Sequence, residues 1–219
     1  YMALCRSAVS CAGQLEKKVQ QILDFTELRT AVVREGEVVL LDLLHEVTDA
    51  VAELAAEEDV RVICSVFSPG ACVRTDSARL RQALFCLADN AVKYSPRGGT
   101  VHVRASVIGV SSGGDDDSCR VGDSRGSEDT KDNGWVRFEV DDSGRGLPGT
   151  PTQLFQPFIQ GRRDGGTSGL GLGLAIALSV AELLGGRIGV SEKEEGPGSI
   201  FWLEIPRVPG RKLPLSAGA

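Results

Sequence analysis

The chain has 219 residues, room for one domain of ordinary size plus a helical appendage. Apolar residues make up 42% of it and charged residues 25%, a globular balance that excludes wholesale disorder and collagen-like repeats. No uninterrupted run of about 18 apolar residues occurs, so no membrane contact is expected here. The formal charge of -6 argues against nucleic-acid binding, which draws on cationic contacts to phosphate.

The six cysteines are scattered without a CxxC pair, and the chain has two histidines. Neither a zinc site nor a disulfide framework is expected, which points to an intracellular setting, cytoplasmic or the stroma of an organelle. The chain opens without a basic or hydrophobic leader and reads as a fragment.

In chain order, Leu4, Ala8, Cys11, Leu15, Val19, Ile22 and Thr26 recur at steps of three or four. That thin stripe predicts a long coiled-coil-like helix over residues 1–35, suited to a homodimer. A short strand is expected at Glu37–Leu41, then a helix capped by Asp42 that turns Leu43, Leu44, Val47, Ala50, Val51 and Leu54 inward. Val60–Phe67 and Cys72–Thr75 read as strands separated by Ser68-Pro69-Gly70. Asp76 caps a second helix with Leu80, Ala83, Leu84, Leu87 and Ala91 on one side, ending before Pro96. Thr100–Ile108 and Trp135–Asp141 alternate like half-buried strands.

Between those two strands, residues 111–134 hold seven acidic residues, three basic, five Gly and five Ser. Such a segment cannot bury enough apolar surface to order itself, so a solvated insertion in a hairpin is expected. Two glycine-rich segments follow, then a helix over Leu172–Leu184, strands at Arg187–Ser191 and Ser199–Ile205, and a proline-rich tail at 207–219. The order predicts an α+β two-layer sandwich, a mixed β-sheet with helices on one face, spanning residues 36–206.

Four segments carry chemistry. Asn90, Lys93 and Tyr94 sit three or four residues apart on the second helix with Cys86 one turn earlier, so an amide, an amine and a phenol share one stripe. Asp142-Ser143-Gly144-Arg145-Gly146 ends a strand, where glycines let the backbone approach a ligand closely. Gly144, Gly146 and Gly149 also spell GxGxxG, but Leu147-Pro148-Gly149-Thr150-Pro151 cannot open the helix of a dinucleotide-binding βαβ unit. Leu154–Gln160 contains Phe155 and Phe158, which read as a small hydrophobic plug. Gly169-Leu170-Gly171-Leu172-Gly173 runs straight into a helix, offering N–H groups and a positive dipole end to an anion. No Lys-Ser/Thr follows, so it is no Walker A loop. Gly161, Gly165 and Gly166 suggest a lid over phosphate.

In this order and spacing, "RLRQALFCLADNAVKYS", "VDDSGRGLP", "LFQPFIQ" and "GLGLGLAIA…LLGGRIGVSE…GSIFWLEIP" closely resemble the catalytic ATP-binding domain of sensor histidine kinases, in the wider group of gyrase, Hsp90 and MutL ATPases. The resemblance implies that Asn90 binds Mg²⁺ bridging the nucleotide phosphates, that Lys93 contacts phosphate, and that Tyr94 packs by the adenine. It implies that Asp142 takes the adenine amino group and that Gly144 and Gly146 let the chain turn beneath the base. Gly169, Leu170, Gly171, Leu172 and Gly173 hold the phosphates, and Phe158 joins the ATP-binding set. Asn90 and Lys93 are the implied catalytic residues, with ATP and Mg²⁺ as cofactors. For Arg162 and Arg163, a γ-phosphate contact and plain surface exposure both stay open.

Residues 1–35 resemble the second helix of the kinase dimerisation domain. The resemblance implies phosphoryl transfer to a histidine and relay to the aspartate of a response-regulator receiver domain. The chain departs from the family pattern twice. Cys86 stands where an Asn or a basic Glu is usual, which disfavours water-attack ATPase chemistry and leaves a catalytically weak, pseudokinase-like ATP sensor as the alternative. The family's His-Glu…Pro motif is missing as well: Thr26 and Ala31 in "FTELRTAV" only mimic it, and His45-Glu46 falls inside the nucleotide domain. The acceptor histidine is therefore expected upstream of residue 1.

Overall fold

The computed structural model describes residues 19, 22, 23, 26, 32–68, 70–109, 134–146, 151–159, 170–193 and 196–207. The acidic insertion apart from Gly134, residues 160–169 with Gly169, Arg162 and Arg163, most of the N-terminal helix and the tail beyond Arg207 lie outside the described residues. Val19, Ile22, Leu23 and Thr26 are helical and exposed.

Strand β1 (Gly36–Val39) leads directly into helix α1 (Leu40–Glu57), which buries Leu40, Leu43, Leu44, Val47, Val51 and Ala55 along one face. The expected strand was longer and the expected cap was Asp42. Instead Val39 is the N-cap, and the amide of Leu40 donates to Ala71 O at 3.0 Å. A tertiary acceptor replaces the side-chain cap, and Asp42 falls in the first turn, where its charge still complements the helix dipole.

Strand β2 (Arg61–Val66) is followed by β3 (Cys72–Thr75), which pairs antiparallel with β1 as a separate two-stranded sheet. Helix α2 (Ser77–Tyr94) is capped as its sequence dictates: Asp76 Oδ1 accepts from Arg79 N at 3.1 Å. The other oxygen of Asp76 accepts from Arg34 N at 2.8 Å, so one carboxylate holds both the helix head and the incoming chain. Ser95 turns extended, with ψ 145°, because the ring of Pro96 crowds a helical residue before it.

Strands β4 (Thr100–Ile108), β5 (Trp135–Asp141), β6 (Arg187–Glu192) and β7 (Ser199–Pro206) complete a five-stranded sheet with β2, in the order β2-β4-β5-β7-β6. Only β2 and β4 run parallel, as the α2 crossover between them requires, so the sheet is mixed as expected. Short helix α3 (Pro151–Leu154) and helix α4 (Gly173–Leu183) precede the last hairpin.

Alternation decides the two faces of the sheet. Val101, Val103, Ala105, Val136, Phe138, Val140, Phe201, Leu203 and Ile205 turn inward beneath α1, α2 and α4 and are fully or almost fully buried. Each large side chain there contributes roughly 1.5–3 kcal/mol of burial. The opposite face carries a charged ladder. Arg137 reaches Glu204 at 2.7 Å and Glu139 at 2.8 Å, Arg187 meets Glu204 at 2.5 Å, and Arg137 lies 5.0 Å from the Trp202 ring centre. Trp202 lies flat across Gly189, where any Cβ would overlap its ring. No helix among the described residues is long and apolar enough to cross a membrane.

Candidate nucleotide-binding site

One helix lies along the whole site. Cys86 of α2 touches the head of α4: a Cβ on Gly173 would lie 3.9 Å from Cys86 Cβ. Two turns further on, the carbonyl of Tyr94 meets the turn after β5, where a Cβ on Gly144 would lie 2.9 Å from Tyr94 O. At 1.5 Å per residue these contacts are about 12 Å apart along the helix. The Asp142 turn and the head of α4 therefore flank this stretch of α2.

At the first end, Asp142 is buried at the tip of β5. Its Oδ1 accepts from Gly144 N at 2.7 Å and from Ser199 N at 3.3 Å, which fixes the plane of the carboxylate. Asp142 N donates to Ser199 O at 3.0 Å, continuing the β5–β7 pairing. Burial pushes the Asp142 carboxyl above its ordinary 3.8; the Gly144 and Ser199 amides and the Lys193 charge oppose that rise, and Asp141 adds to it. A buried carboxylate aimed by two amides is an acceptor for an exocyclic amine. Ser143 anchors the same turn, donating to Thr100 O at 2.7 Å while its amide donates to Ser95 Oγ at 3.3 Å. Gly146 adopts φ 84°, so the chain needs glycine there to turn away.

The second end is the start of α4. Leu172, its N-cap, has no side chain to cap it, so the first-turn amides of the helix remain for a ligand. Gly171 adopts φ 70° and its carbonyl accepts from Phe158 N at 2.9 Å, joining the phenylalanine segment to the phosphate-type loop. The two phenylalanines do not form one plug. Phe155 is buried, but Phe158 is 66% exposed, because its φ of 67° and its bond to Gly171 turn it outward.

Along the helix between these ends, Asn90, Lys93 and Tyr94 are half-buried. Lys93 is already engaged: its Nζ lies 2.6 Å from Asp89 Oδ2, so a phosphate there competes with a carboxylate. Among the described residues no group of three His, Cys, Asp or Glu side chains could hold a metal ion. Asn90 supplies a single hard oxygen, which suits Mg²⁺ when phosphates and water complete its shell. The thiol of Cys86, one turn earlier, is too soft to add to it.

Of the residues singled out from the sequence, Asn90, Lys93 and Tyr94 lie on α2, and Gly144, beside Asp142, and Gly173 pack against that helix; Gly146, Leu170, Gly171 and Leu172 lie in the adjoining turns, and Gly169 lies outside the described residues. Sequence alone assigns no individual role to Asp89, Ser143, Lys193, Gly198 or Ser199. A signal existed for two of these, since Gly196-Pro197-Gly198-Ser199 puts glycines against the start of a strand.

Comparison with known proteins gives the family of this fold. The family profile of histidine kinase-, DNA gyrase B- and HSP90-like ATPases matches residues 75–209. The sensory/regulatory protein RpfC of Xanthomonas campestris pv. campestris is 37% identical over 146 residues, 64% of this chain and 17% of RpfC. The sensor protein GacS of Pseudomonas syringae pv. syringae is 31% identical over 204 residues, 89% of this chain and 20% of GacS. This chain thus spans less than a quarter of either relative. The crystal structure of full-length ShkA in complex with AMPPNP is similar with a TM-score of 0.69 at 29% identity, covering 97% of this chain and 40% of that one. The Acinetobacter baumannii histidine kinase AdeS shares the fold at a TM-score of 0.66 and 21% identity, covering 94% of this chain and 84% of that one. The chain belongs to the histidine kinase-, DNA gyrase B- and HSP90-like ATPase family, and the domain it carries is the ATP-binding catalytic domain of a sensor histidine kinase.

Proposed function

We propose that this domain binds Mg-ATP and transfers its γ-phosphoryl group to a histidine, for relay to the aspartate of a response-regulator receiver domain. The observation that carries the reading is the buried Asp142, its Oδ1 fixed by two amides, at the C-terminal end of α2, with the uncapped head of α4 against Cys86 two turns back along the same helix. Asp142 takes the adenine amine, which selects adenine over guanine because guanine offers a carbonyl at that position. Tyr94 lies by the base, and Gly144 and Gly146 shape the turn beneath it. The amides from Gly169 to Gly173 hold the phosphates, and Phe158, exposed beside Gly171, covers them.

Asn90 would hold Mg²⁺, which supplies charge neutralisation on the phosphates when bound. Lys93 reaches the same phosphates by leaving Asp89. In the transfer an imidazole nitrogen attacks the γ-phosphorus, the bond to the bridging oxygen breaks, and ADP leaves. The acceptor imidazole is its own nucleophile, so no carboxylate base is needed at position 86, and the protein supplies position and charge.

The domain proper is residues 36–206, with an acidic insertion at 111–134 and a tail at 207–219. Residues 1–35 carry the second helix of a dimerisation domain, which ends before the non-helical residues 32–35, and through it two chains pair inside the cell. The exposed Val19, Ile22 and Leu23 support that role. A second reading rests on Cys86: a domain that senses ATP without transferring its phosphate. The experiment incubates the full-length protein with γ-labelled Mg-ATP and looks for an acid-labile, base-stable phosphoprotein. ATP binding without that product favours the sensor, and absence of ATP binding removes both readings.

A further inference from the structure

Asp142 is flanked by a charge cluster that no part of the ATP reading uses. Its neighbour Asp141 lies across from His102 of β4 in the sheet register. Arg104 Nη2 lies 3.2 Å from Asp141 Oδ2, and Lys193 Nζ forms an ion pair with Asp141 Oδ1; all three side chains are largely buried. Lys193 begins the turn between β6 and β7, and the far end of that turn, Gly198, is pressed against the backbone of Asp142. A Cβ at Gly198 would overlap Asp142 O and approach Lys193 Cε to 2.9 Å, and its φ of 130° already demands glycine. The lysine side chain therefore passes beside Gly198 on its way to Asp141, and Ser199, the next residue, gives its amide to Asp142 Oδ1.

We propose that Lys193 is a positioning residue for purine recognition: tied to Asp141 and lodged beside Gly198, it sets a fixed positive charge next to the recognising carboxylate. The proposal rests on the assignment of Asp142 to the adenine amine. That hydrogen bond is strongest to an ionised carboxylate, and burial works against ionisation. Two neighbouring carboxylates at a buried strand end make it harder still, because each disfavours the charge of the other. Lys193 offsets both effects at once. The charged and titratable groups around Asp142 are Asp141 on its own strand, Arg104 and His102 on β4, Lys193 on the β6–β7 turn, Tyr94 at the end of α2 and Arg145 in the next turn. Without Lys193, Asp142 takes up a proton at higher pH, and the acid limb of ATP binding moves upward.

The test is calorimetric titration of the full chain with Mg-ATP from mildly acidic to alkaline pH, for the wild type, Lys193→Met, Lys193→Arg and Asp142→Asn. A parallel series in a His102→Gln background removes the nearby imidazole from the profile, and protonation of the nucleotide itself is common to all curves. Lys193→Met is expected to lose affinity several-fold at acidic pH and to approach the wild-type value at alkaline pH, while Lys193→Arg keeps the wild-type profile. A Lys193→Met curve that overlays the wild type overturns the proposal, and so does one lowered by the same factor at every pH. Asp142→Asn reports separately: if it binds ATP like the wild type, the adenine assignment itself fails. If it does not bind while Lys193→Met is unchanged, the role of Lys193 alone fails.

Discussion

Replacing Gly144 with alanine adds one carbon at the tightest point of the site. Gly144 does not occupy the left-handed region, so its backbone tolerates an L side chain and any effect comes from contact. The new Cβ would lie 2.9 Å from Tyr94 O and 2.8 Å from Asp142 Oδ1. Ordinary contact needs roughly half an ångström more on both sides. Tyr94 O is backbone in the last turn of α2, and Asp142 Oδ1 is held by the Gly144 and Ser199 amides, so the carboxylate does not retreat without loosening a bond. The bond from Gly144 N, at 2.7 Å, gives way first. A hydrogen bond to a charged group contributes about 1.5–3 kcal/mol. At 1.4 kcal/mol per tenfold, Gly144→Ala should weaken ATP binding about 10- to 100-fold in calorimetric titration. Gly70→Ala is the matched control. It places a side chain at φ 71° in open space, so it should cost about 1–2 kcal/mol of stability through backbone strain and leave ATP affinity unchanged. Wild-type ATP affinity in Gly144→Ala would refute the claim that this glycine sets the angle of the carboxylate.

Two further substitutions test the ends of the site. Asp142→Asn should abolish measurable ATP binding yet raise the melting temperature of the nucleotide-free protein at neutral pH. Burial raises this carboxyl above 3.8, so the folded state holds its proton more tightly than the unfolded chain, and ionisation at neutral pH is a cost that asparagine escapes. That advantage should shrink as pH falls through the raised value and vanish below 3.8, and a melting temperature below wild type at neutral pH would contradict it. Cys86→Asn should strengthen ATP binding when Mg²⁺ is present and change little when a chelator is, because an amide oxygen replaces a soft thiol one turn before Asn90. An equal effect with and without Mg²⁺ would show that position 86 acts through packing on Gly173 instead.

Much of the fold was legible because its signals are local. The alternation of Thr100–Ile108 and Trp135–Asp141, the Asp76 cap and the stop before Pro96 each act within a few residues, and each lies where the sequence puts it. The start of α1 was misplaced because its first amide is satisfied by Ala71 O, an acceptor some thirty residues away that no local pattern encodes. The pairing of β1 with β3 outside the main sheet escaped for the same reason. In the site, residues on one helix or one loop could be grouped by spacing. Ser199 and Lys193 could not, since they reach Asp142 and Asp141 only after β7 has paired with β5. Phe158 was misjudged because an aromatic side chain suggests burial, whereas a left-handed backbone and one hydrogen bond decided its direction.

In the proposed site, motifs far apart in sequence are tied to one helix. Helix α2 is the element they share: Asp76 fixes its head, Cys86 bears on the start of α4, and Tyr94 bears on the Asp142 turn. Any movement of α2 along its axis therefore alters both ends of the ligand cleft together. The Asp76 carboxylate that caps the helix also holds the amide of Arg34, where the chain enters the domain. A pull on that incoming segment is applied to the same side chain that sets the position of α2. Stress arriving from residues before 32 thus has a route of two hydrogen bonds, both on Asp76, to the helix that carries Asn90. A second restraint on the same segment comes from β1, whose pairing with β3 resists sliding of residues 36–39. Force along the chain is consequently shared between the sheet pair, whose second strand runs directly into α2, and the buried Asp76 carboxylate at the head of that helix.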